Sequence, residues 1–213
     1  MAEVHVEVDA LRDHWWWRPG WAVGRHFYAC HFSFHDQPAV RDLASAYQNA
    51  LQPMDGLDLI PSRWLHLTLQ GVGFTDDIPL DRIERFAEVA THQLATVVPP
   101  TLTFHRPVVR PEAVYLPAGN DEPVNVVRAA VRAAMVKSLP GVELDDVKGY
   151  RPHVSVAYSN AEQPAAPIAE LLARVDVAPV TVTLTAVQLM RYHRDKRMYE
   201  WAVETPLTIG AGT

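Results

Sequence analysis

Residues 61–73 read Pro61-Ser62-Arg63-Trp64-Leu65-His66-Leu67-Thr68-Leu69-Gln70-Gly71-Val72-Gly73. The part from Trp64 to Leu69 is rich in large apolar residues and is closed by glycines, which predicts a strand. Residues two apart along a strand point to the same face, so His66 and Thr68 should project together. The leucines at positions 65, 67 and 69 then face a core. The segment therefore predicts an imidazole beside a hydroxyl on one face of a strand.

A second segment has the same alternation. Residues 151–158 read Arg151-Pro152-His153-Val154-Ser155-Val156-Ala157-Tyr158. His153 and Ser155 should share one face of this strand, while the two valines point into a core. A third copy, residues 31–34 (His-Phe-Ser-Phe), lies in the first predicted strand, directly before a helix and with no proline just upstream. We set this third copy aside because its context differs.

Two imidazole–hydroxyl pairs that face each other would suit the cleavage of a phosphodiester. One group must take a proton from the attacking water and another must give one to the leaving oxygen. The unperturbed imidazole pKa of about 6.5 allows both roles, and predicts a bell-shaped pH–rate profile centred near pH 6–7.5. The hydroxyls can donate hydrogen bonds to the phosphate oxygens as charge develops there. This chemistry requires neither a metal ion nor a cofactor, and we expect none.

The two segments resemble the two signatures of the 2H (two-histidine) phosphoesterase superfamily, which includes bacterial 2′-5′ RNA ligases and cyclic phosphodiesterases. The resemblance covers residues 23–207, taken as one bilobal domain, with a Trp-rich arm (residues 1–22) before it and a short tail (residues 208–213) after it. It implies an α+β fold in which two antiparallel-rich sheets face a central cleft and the helices lie outside.

The resemblance also implies a function and a set of site residues. His66 and His153 would be catalytic, and Thr68 and Ser155 would bind phosphate. The expected activity is that of a phosphodiesterase on 2′,3′-cyclic phosphates or on 2′-5′ linked nucleotides or RNA ends. Bacterial RNA ligases often carry an arginine two residues after the motif hydroxyl, where Gln70 and Ala157 stand here, which weakens the case for a long RNA substrate.

Four further residues are possible substrate-binding groups: Arg151, Trp64, Gln70 and Arg191. Arg151 should share the face of His153, and Trp64 that of His66, where it would either stack on a base or pack. Arg191 lies near the end of a late predicted strand, where it would border the cleft. Tyr158 has the opposite parity from His153, which predicts a place in the core.

Composition limits the partners and the location of the protein. The 213 residues are 48% hydrophobic and 21% charged, with a net charge of −6. Proteins that hold long nucleic acid rely on a surplus of Lys and Arg, so we expect a small nucleotide or one RNA end as substrate. No apolar run has the length of a membrane span, the acidic N-terminus does not resemble a signal peptide, and Cys30 is the single cysteine. These features predict a cytoplasmic protein without a membrane partner, and they leave its oligomeric state open.

Two alternatives to the enzyme remain open at this point. A nucleotide or cyclic-phosphate binding module could keep the same pocket and have lost turnover. A metal-dependent hydrolase would instead gather some of the ten histidines around an ion, and its activity would not survive a chelator. The arm residues Trp15, Trp16, Trp17 and Trp21 are also open to two interpretations, since they would either fill an apolar groove or interface, or stack on bases.

Overall fold

A computed structural model of the chain describes residues 4–144 and 149–210, except for the side chains of residues 202–204. The helices in this part of the chain are α1 (Pro38–Leu51), α2 (Leu80–Leu94), α3 (Glu122–Ser138) and α4 (Ala165–Ala173), with a short 3-10 helix at Ser62–Trp64. The strands are β1 (His5–Val6), β2 (Ala10–Leu11), β3 (Phe27–Ser33), β4 (Leu57–Leu59), β5 (His66–Phe74), β6 (Thr101–Phe104), β7 (Val108–Val109), β8 (Ala113–Pro117), β9 (His153–Ser159), β10 (Gln163–Pro164), β11 (Val180–Thr183), β12 (Ala186–His193) and β13 (Glu200–Thr208). This α+β architecture confirms the fold class that the resemblance implies.

Two sheets form the two lobes. The first sheet has the order β13-β12-β3-β5 and is antiparallel throughout, and the second has the order β1-β7-β8-β9-β4, in which only the β1–β7 pair is parallel. The first motif strand, β5, belongs to the first sheet, and the second motif strand, β9, belongs to the second sheet. Each lobe therefore carries one motif.

The helices cover the outer faces of the two sheets. Helices α2 and α3 pack against the first sheet, and α1 and α4 pack against the second. The chain crosses between the lobes to achieve this, because α1 follows β3 of the first sheet and α3 follows β8 of the second. None of the described helices is both long and apolar enough to cross a bilayer.

Alternation along the motif strands buries their apolar side chains as predicted. Leu65, Leu67 and Leu69 are at most 1% exposed, and Val154 and Val156 are fully buried. Burial of such side chains contributes about 1.5–3 kcal/mol each, so this face of each strand stabilises the lobe to which the strand belongs. The opposite face of each strand is left for the site.

The N-terminal arm joins both lobes. Its strand β1 pairs with β7, and β2 pairs with β10. Trp15 is buried and its indole nitrogen donates to Asp58 at 2.8 Å. Trp21 contacts the rings of Phe27 and Tyr192 in the first sheet. At least these two tryptophans pack against their own fold, which is one of the alternatives that the sequence left open.

Candidate active site

His66 and His153 are the first residues of β5 and β9, and they line one cleft of about 480 Å³ between the lobes. Thr68 and Ser155 line the same cleft. The structure therefore brings together the four residues on which the resemblance rests. A volume of this size lies within the usual range of about 300–1,000 Å³ for small-ligand sites.

Both histidines are oriented in the same way by the backbone. Nδ1 of His66 donates to the carbonyl oxygen of Trp64 at 2.8 Å, and Nδ1 of His153 donates to that of Arg151 at 2.7 Å. A carbonyl oxygen only accepts, so Nδ1 carries the proton in each neutral ring and Nε2 keeps its lone pair. Two equivalent bases are thereby positioned at the start of two strands.

Burial disfavours the protonated, charged form of both imidazoles. The pKa of His66 is lowered to about 4, chiefly by burial and in smaller part by nearby His153, against the effect of its bond to the Trp64 carbonyl. Burial also lowers the pKa of His153, and the Arg110 guanidinium adds to that shift. In the ligand-free protein both rings are therefore neutral near pH 7.

A third histidine, His31, belongs to the same site. Strand β3 pairs with β5 so that His31 lies opposite Thr68, and its ring stacks on that of His66 with the centroids 4.7 Å apart. Its Nε2 lies 3.4 Å from Thr68 Oγ1, while its buried Nδ1 has no partner among the described residues. The third motif copy, for which the sequence predicted no part in the site, thus lies directly beside the first.

Aromatic side chains form the walls of the cleft. Tyr115 lies against His153 with the ring centroids 4.4 Å apart, and Tyr158, Tyr192 and Tyr199 complete the lining. Such walls suit a nucleoside, because bases stack on aromatic rings. Burial raises the pKa of Tyr158, Tyr192 and Tyr199, so their hydroxyls stay protonated and can donate hydrogen bonds.

Tyr158 is buried, as the sequence predicts, but a β-bulge makes it face the cleft. The pairing of β8 with β9 skips one residue of β9, Val156, between the partners Tyr115–Ser155 and Val114–Ala157. The extra residue reverses the side-chain alternation beyond it, so Tyr158 follows Ser155 onto the cleft face. Periodicity in the sequence does not reveal such a residue.

A second bulge removes Gln70 from the cleft. The pairing of β3 with β5 skips Leu69, between the partners His31–Thr68 and Cys30–Gln70. Gln70 therefore lies on the outer face, 2% exposed, where its side-chain oxygen accepts from Arg132 of α3 at 2.6 Å. The expectation that it contacts substrate does not fit this position.

The other three possible substrate-binding residues do not line the cleft. Trp64 lies in the 3-10 helix and not in a strand, so strand alternation does not place its side chain on the face of His66. It lines a separate, smaller pocket of about 320 Å³ together with Arg191 and Trp201. The side chain of Arg151 is exposed, and this residue contributes to the site through its carbonyl oxygen.

The arm supplies site residues that the sequence analysis missed. Arg12, His14 and Arg18 line the cleft beside Arg110 and Glu112. His14 stacks on Tyr158 with the centroids 4.2 Å apart, and its Nε2 lies 3.0 Å from the Tyr199 hydroxyl. Nothing in the sequence connects these residues with the motifs, because the contacts of His14 with Tyr158 and Tyr199 each join residues more than half of the chain apart.

Taken together, the cleft offers two neutral bases, two hydroxyls and a basic wall. Such a set can hold an anion and move protons on both sides of it. No group of three or more His, Cys, Asp or Glu side chains in residues 4–144 and 149–210, leaving aside the side chains of residues 202–204, is arranged to hold a metal ion.

Comparisons with known proteins agree with this fold. The sequence profile of the 2′-5′ RNA ligase superfamily matches residues 32–196. Among solved structures, TT0787 of Thermus thermophilus superposes with a TM-score of 0.65 at 19% identity, covering 88% of this chain and 98% of that one. E. coli LigT complexed with NADP+ superposes with a TM-score of 0.60 at 13% identity over 87% and 99% of the two chains, and LigT complexed with 3′-AMP with 0.58 at 12% identity over 87% and 98%. Among curated protein sequences, none matches this chain.

Proposed function

The chain belongs to the 2′-5′ RNA ligase superfamily, and from this premise we propose that it is a metal-independent phosphodiesterase acting on 2′,3′-cyclic phosphates or on 2′-5′ linked nucleotides or RNA ends. In this proposal His66 and His153 are the general acid and base, and Thr68 and Ser155 bind the phosphate. The LigT structures with 3′-AMP, ATP and NADP+ support a small nucleotide as the ligand class.

One observation carries the proposal. The two histidines come from different sheets, yet each has Nδ1 on a carbonyl oxygen two residues upstream and its hydroxyl neighbour in the same cleft. A phosphorus atom between them would have a proton acceptor on one side and a proton donor on the other. Displacement in line at phosphorus needs such an arrangement.

The chemical step is a hydrolysis with two proton transfers. The water oxygen forms a bond to phosphorus as Nε2 of one histidine takes its proton. The bond between phosphorus and one ribose oxygen breaks, and the other histidine, protonated, gives a proton to that oxygen. The bound phosphate makes this protonated state accessible, because an anion raises the pKa of a neighbouring imidazole. Thr68 and Ser155 donate to the non-bridging oxygens.

A binding module with the same pocket is the alternative. It would bind nucleotides in the cleft without cleaving them. Burial lowers the pKa of both histidines, so neither ring carries a proton near pH 7 before a ligand binds. This observation favours the binding module, because catalysis needs one protonated ring.

A substrate panel separates these functions. The purified protein is incubated with 2′,3′-cyclic nucleotides, ADP-ribose cyclic phosphate and 2′-5′ dinucleotides in the presence of EDTA, and the products are separated by chromatography. We expect the protein to hydrolyse at least one cyclic phosphate to the corresponding phosphomonoester. Binding of these ligands without any product would favour the binding module, and activity that EDTA removes would favour a metal-dependent hydrolase.

Matched variants test the assignment of residues. His66→Ala and His153→Ala should each lower kcat about 10²–10⁴-fold, because each removes one proton transfer. Thr68→Val and Ser155→Ala should each cost less, because each removes one hydrogen-bond donor. His92→Ala on the exposed face of α2 is the control and should leave the rate unchanged. A wild-type rate in either of the first two variants contradicts the assignment.

A further inference from the structure

The basic wall of the cleft holds more positive charge than one phosphodiester requires. Arg12, Arg18 and Arg110 line the cleft, and Glu112 is the one carboxylate that lines it among the described residues, while Glu7, outside the lining, forms an ion pair with Arg110. The two histidines and two hydroxyls already supply the donors that a single phosphate needs. The excess of guanidinium groups therefore calls for a separate explanation.

Glu112 holds two of these guanidinium groups in place. Its Oε1 accepts from Nε and Nη2 of Arg12 at 3.0 and 2.9 Å, and its Oε2 accepts from Nη2 of Arg18 at 2.9 Å. Each guanidinium has five N–H donors, so one carboxylate occupies only one edge of each. Nε of Arg18 is buried without a partner in the described part of the chain. The pair is thus pre-oriented, and donors remain for an anion.

The three arginines remain accessible to a ligand. Their side chains are 70%, 38% and 33% exposed for Arg12, Arg18 and Arg110, whereas that of Glu112 is only 18% exposed. The Arg110 guanidinium lies over the ring of Tyr115, which in turn lies against the ring of His153. The basic wall therefore adjoins the catalytic centre on the side of His153.

The positive charges in this part of the cleft also act on a titratable neighbour, His14. Burial, and in smaller part the charges of Arg18 and of buried Arg194, lower the pKa of His14 to about 3. A cleft wall of one sign attracts ligands of the opposite sign, more strongly where protein screens it from water. An anionic group is the ligand that such a wall suits.

We propose that Arg12 and Arg18 of the arm, together with Arg110, form a second phosphate subsite, so that the preferred substrate is a nucleotide carrying a second phosphate group. The inference rests on the proposed function for the position of the first phosphate. Both arm residues lie before residue 32, where the match to the superfamily begins. Arg110 lies within the matched range. The subsite selects among substrates without taking part in the chemistry.

Binding of product-like ligands tests the subsite independently of turnover. Isothermal titration calorimetry compares adenosine 2′-monophosphate with adenosine 2′,5′-bisphosphate. We expect the wild-type protein to bind the bisphosphate about tenfold more tightly, which corresponds to one charge-assisted contact. This ratio should shrink when NaCl is raised, because salt screens exposed charges.

Matched variants locate the effect. Arg12→Met removes an exposed side chain and should not disturb the fold, while Arg18→Met removes its partly buried neighbour. Each should reduce the tenfold ratio to about twofold. Arg85→Met is the control, since Arg85 lies on α2 and pairs with Glu88 at the surface. It should keep the full ratio.

The outcomes separate the subsite from the proposed function. Equal affinities for the two ligands in the wild-type protein, an unchanged ratio in both variants, or no binding of the bisphosphate would overturn the subsite even if cyclic phosphates are cleaved. A tenfold ratio that both arm variants reduce would support the subsite even if no cyclic phosphate is turned over, and in that case only the proposed catalysis fails.

Discussion

At the scale of single residues, His31 explains how Thr68 could be directed at a phosphate. Burial lowers the pKa of His31 well below its ordinary value, so the ring is neutral and carries one proton. Buried N–H groups without a partner are rarer in folded proteins than buried acceptors without one, which favours the proton on Nε2 over the partnerless Nδ1. Nε2 then donates to Thr68 Oγ1, which leaves the hydroxyl proton of Thr68 for the substrate.

This arrangement predicts that His31 is a positioning residue. His31→Phe keeps the stack on His66 but removes the donor, and it should lower kcat about tenfold, the value of one hydrogen bond to a charged group. The same substitution should lower kcat little further in a Thr68→Val background, because His31 acts through the Thr68 hydroxyl. Steady-state kinetics on the four proteins of this double-mutant cycle give the answer. Additive losses would point to a merely structural role.

The pKa values of the two catalytic histidines predict the pH dependence of the rate. Because the pKa of each is lowered, to about 4 for His66, the ring loses its proton at a lower pH than a free imidazole. A mechanism that needs one neutral and one charged ring then has its kcat/KM bell on the acid side of about pH 6.5. This is more acidic than the sequence alone predicts.

The profile of kcat should lie at higher pH than that of kcat/KM. The bound phosphate favours the imidazolium form and raises the pKa of the pair, whose two apparent values belong to both rings together. Initial rates between pH 4 and 10 at low and saturating substrate measure both profiles. A rate that climbs steadily to pH 10 would indicate hydroxide or a metal-bound water as the nucleophile.

At the scale of elements, the arm is held by a buried cation between β12 and β13. Arg194 is 3% exposed, and its Nη2 donates to the carbonyl oxygens of His14 and Trp16 at 3.2 and 3.1 Å. Its guanidinium carbon lies within 6 Å of the ring centroids of three arm tryptophans, Trp15, Trp17 and Trp21. This contact places the arm, and with it Arg12 and Arg18, at the cleft.

Removing this cation should destabilise the protein. Arg194→Met leaves two carbonyl oxygens without their donor and removes the cation–π contacts, so we expect the free energy of unfolding to fall by about 2 kcal/mol or more. Lys196→Met is the control, because Lys196 is 77% exposed and its surface ion pair contributes about 0–1 kcal/mol. Urea denaturation measures both variants. Equal, small effects would show that Arg194 does not hold the arm.

At the scale of the whole molecule, buried neutral histidines link stability to pH. The pKa is lowered for four histidines of the cleft, His14, His31, His66 and His153. In the unfolded chain the same groups take up protons near pH 6.5, so below that value the unfolded state binds more protons than the folded state. Stability is therefore fully present above about pH 6.5 and is lost as the pH falls towards 4.

Urea denaturation at pH 7.5, 6.5 and 5.5 tests this linkage above the range where carboxylates titrate. Below pH 6.5, each such histidine makes the free energy of unfolding fall by on the order of 1 kcal/mol per pH unit. His14→Phe keeps the stack on Tyr158 and removes one titrating group, so its stability should depend less steeply on pH. His5→Gln, whose side chain is 70% exposed, is the control. Equal stability at all three pH values would contradict the assignment of buried neutral rings.

Local sequence determined the two motif strands and the fold class. Whether His66 and Thr68 share a face depends only on the alternation of a strand, and the burial of Leu65, Leu67 and Leu69 on the other face confirms it. The same holds for Val154 and Val156 beside His153 and Ser155. Because the direction of each side chain along a strand depends on its position among its neighbours, the motif pattern can be predicted without the rest of the chain.

Tertiary structure alone decided what surrounds that pair of motifs. Bulges at Leu69 and Val156, which arise from strand pairing, turn Gln70 out of the cleft and Tyr158 into it. The register of β3 on β5 places His31 over His66, and the packing of the arm places Arg12 and Arg18 against Glu112. These contacts join residues far apart in the chain, and no local periodicity encodes them, since each depends on how separate strands align and on what their faces bury.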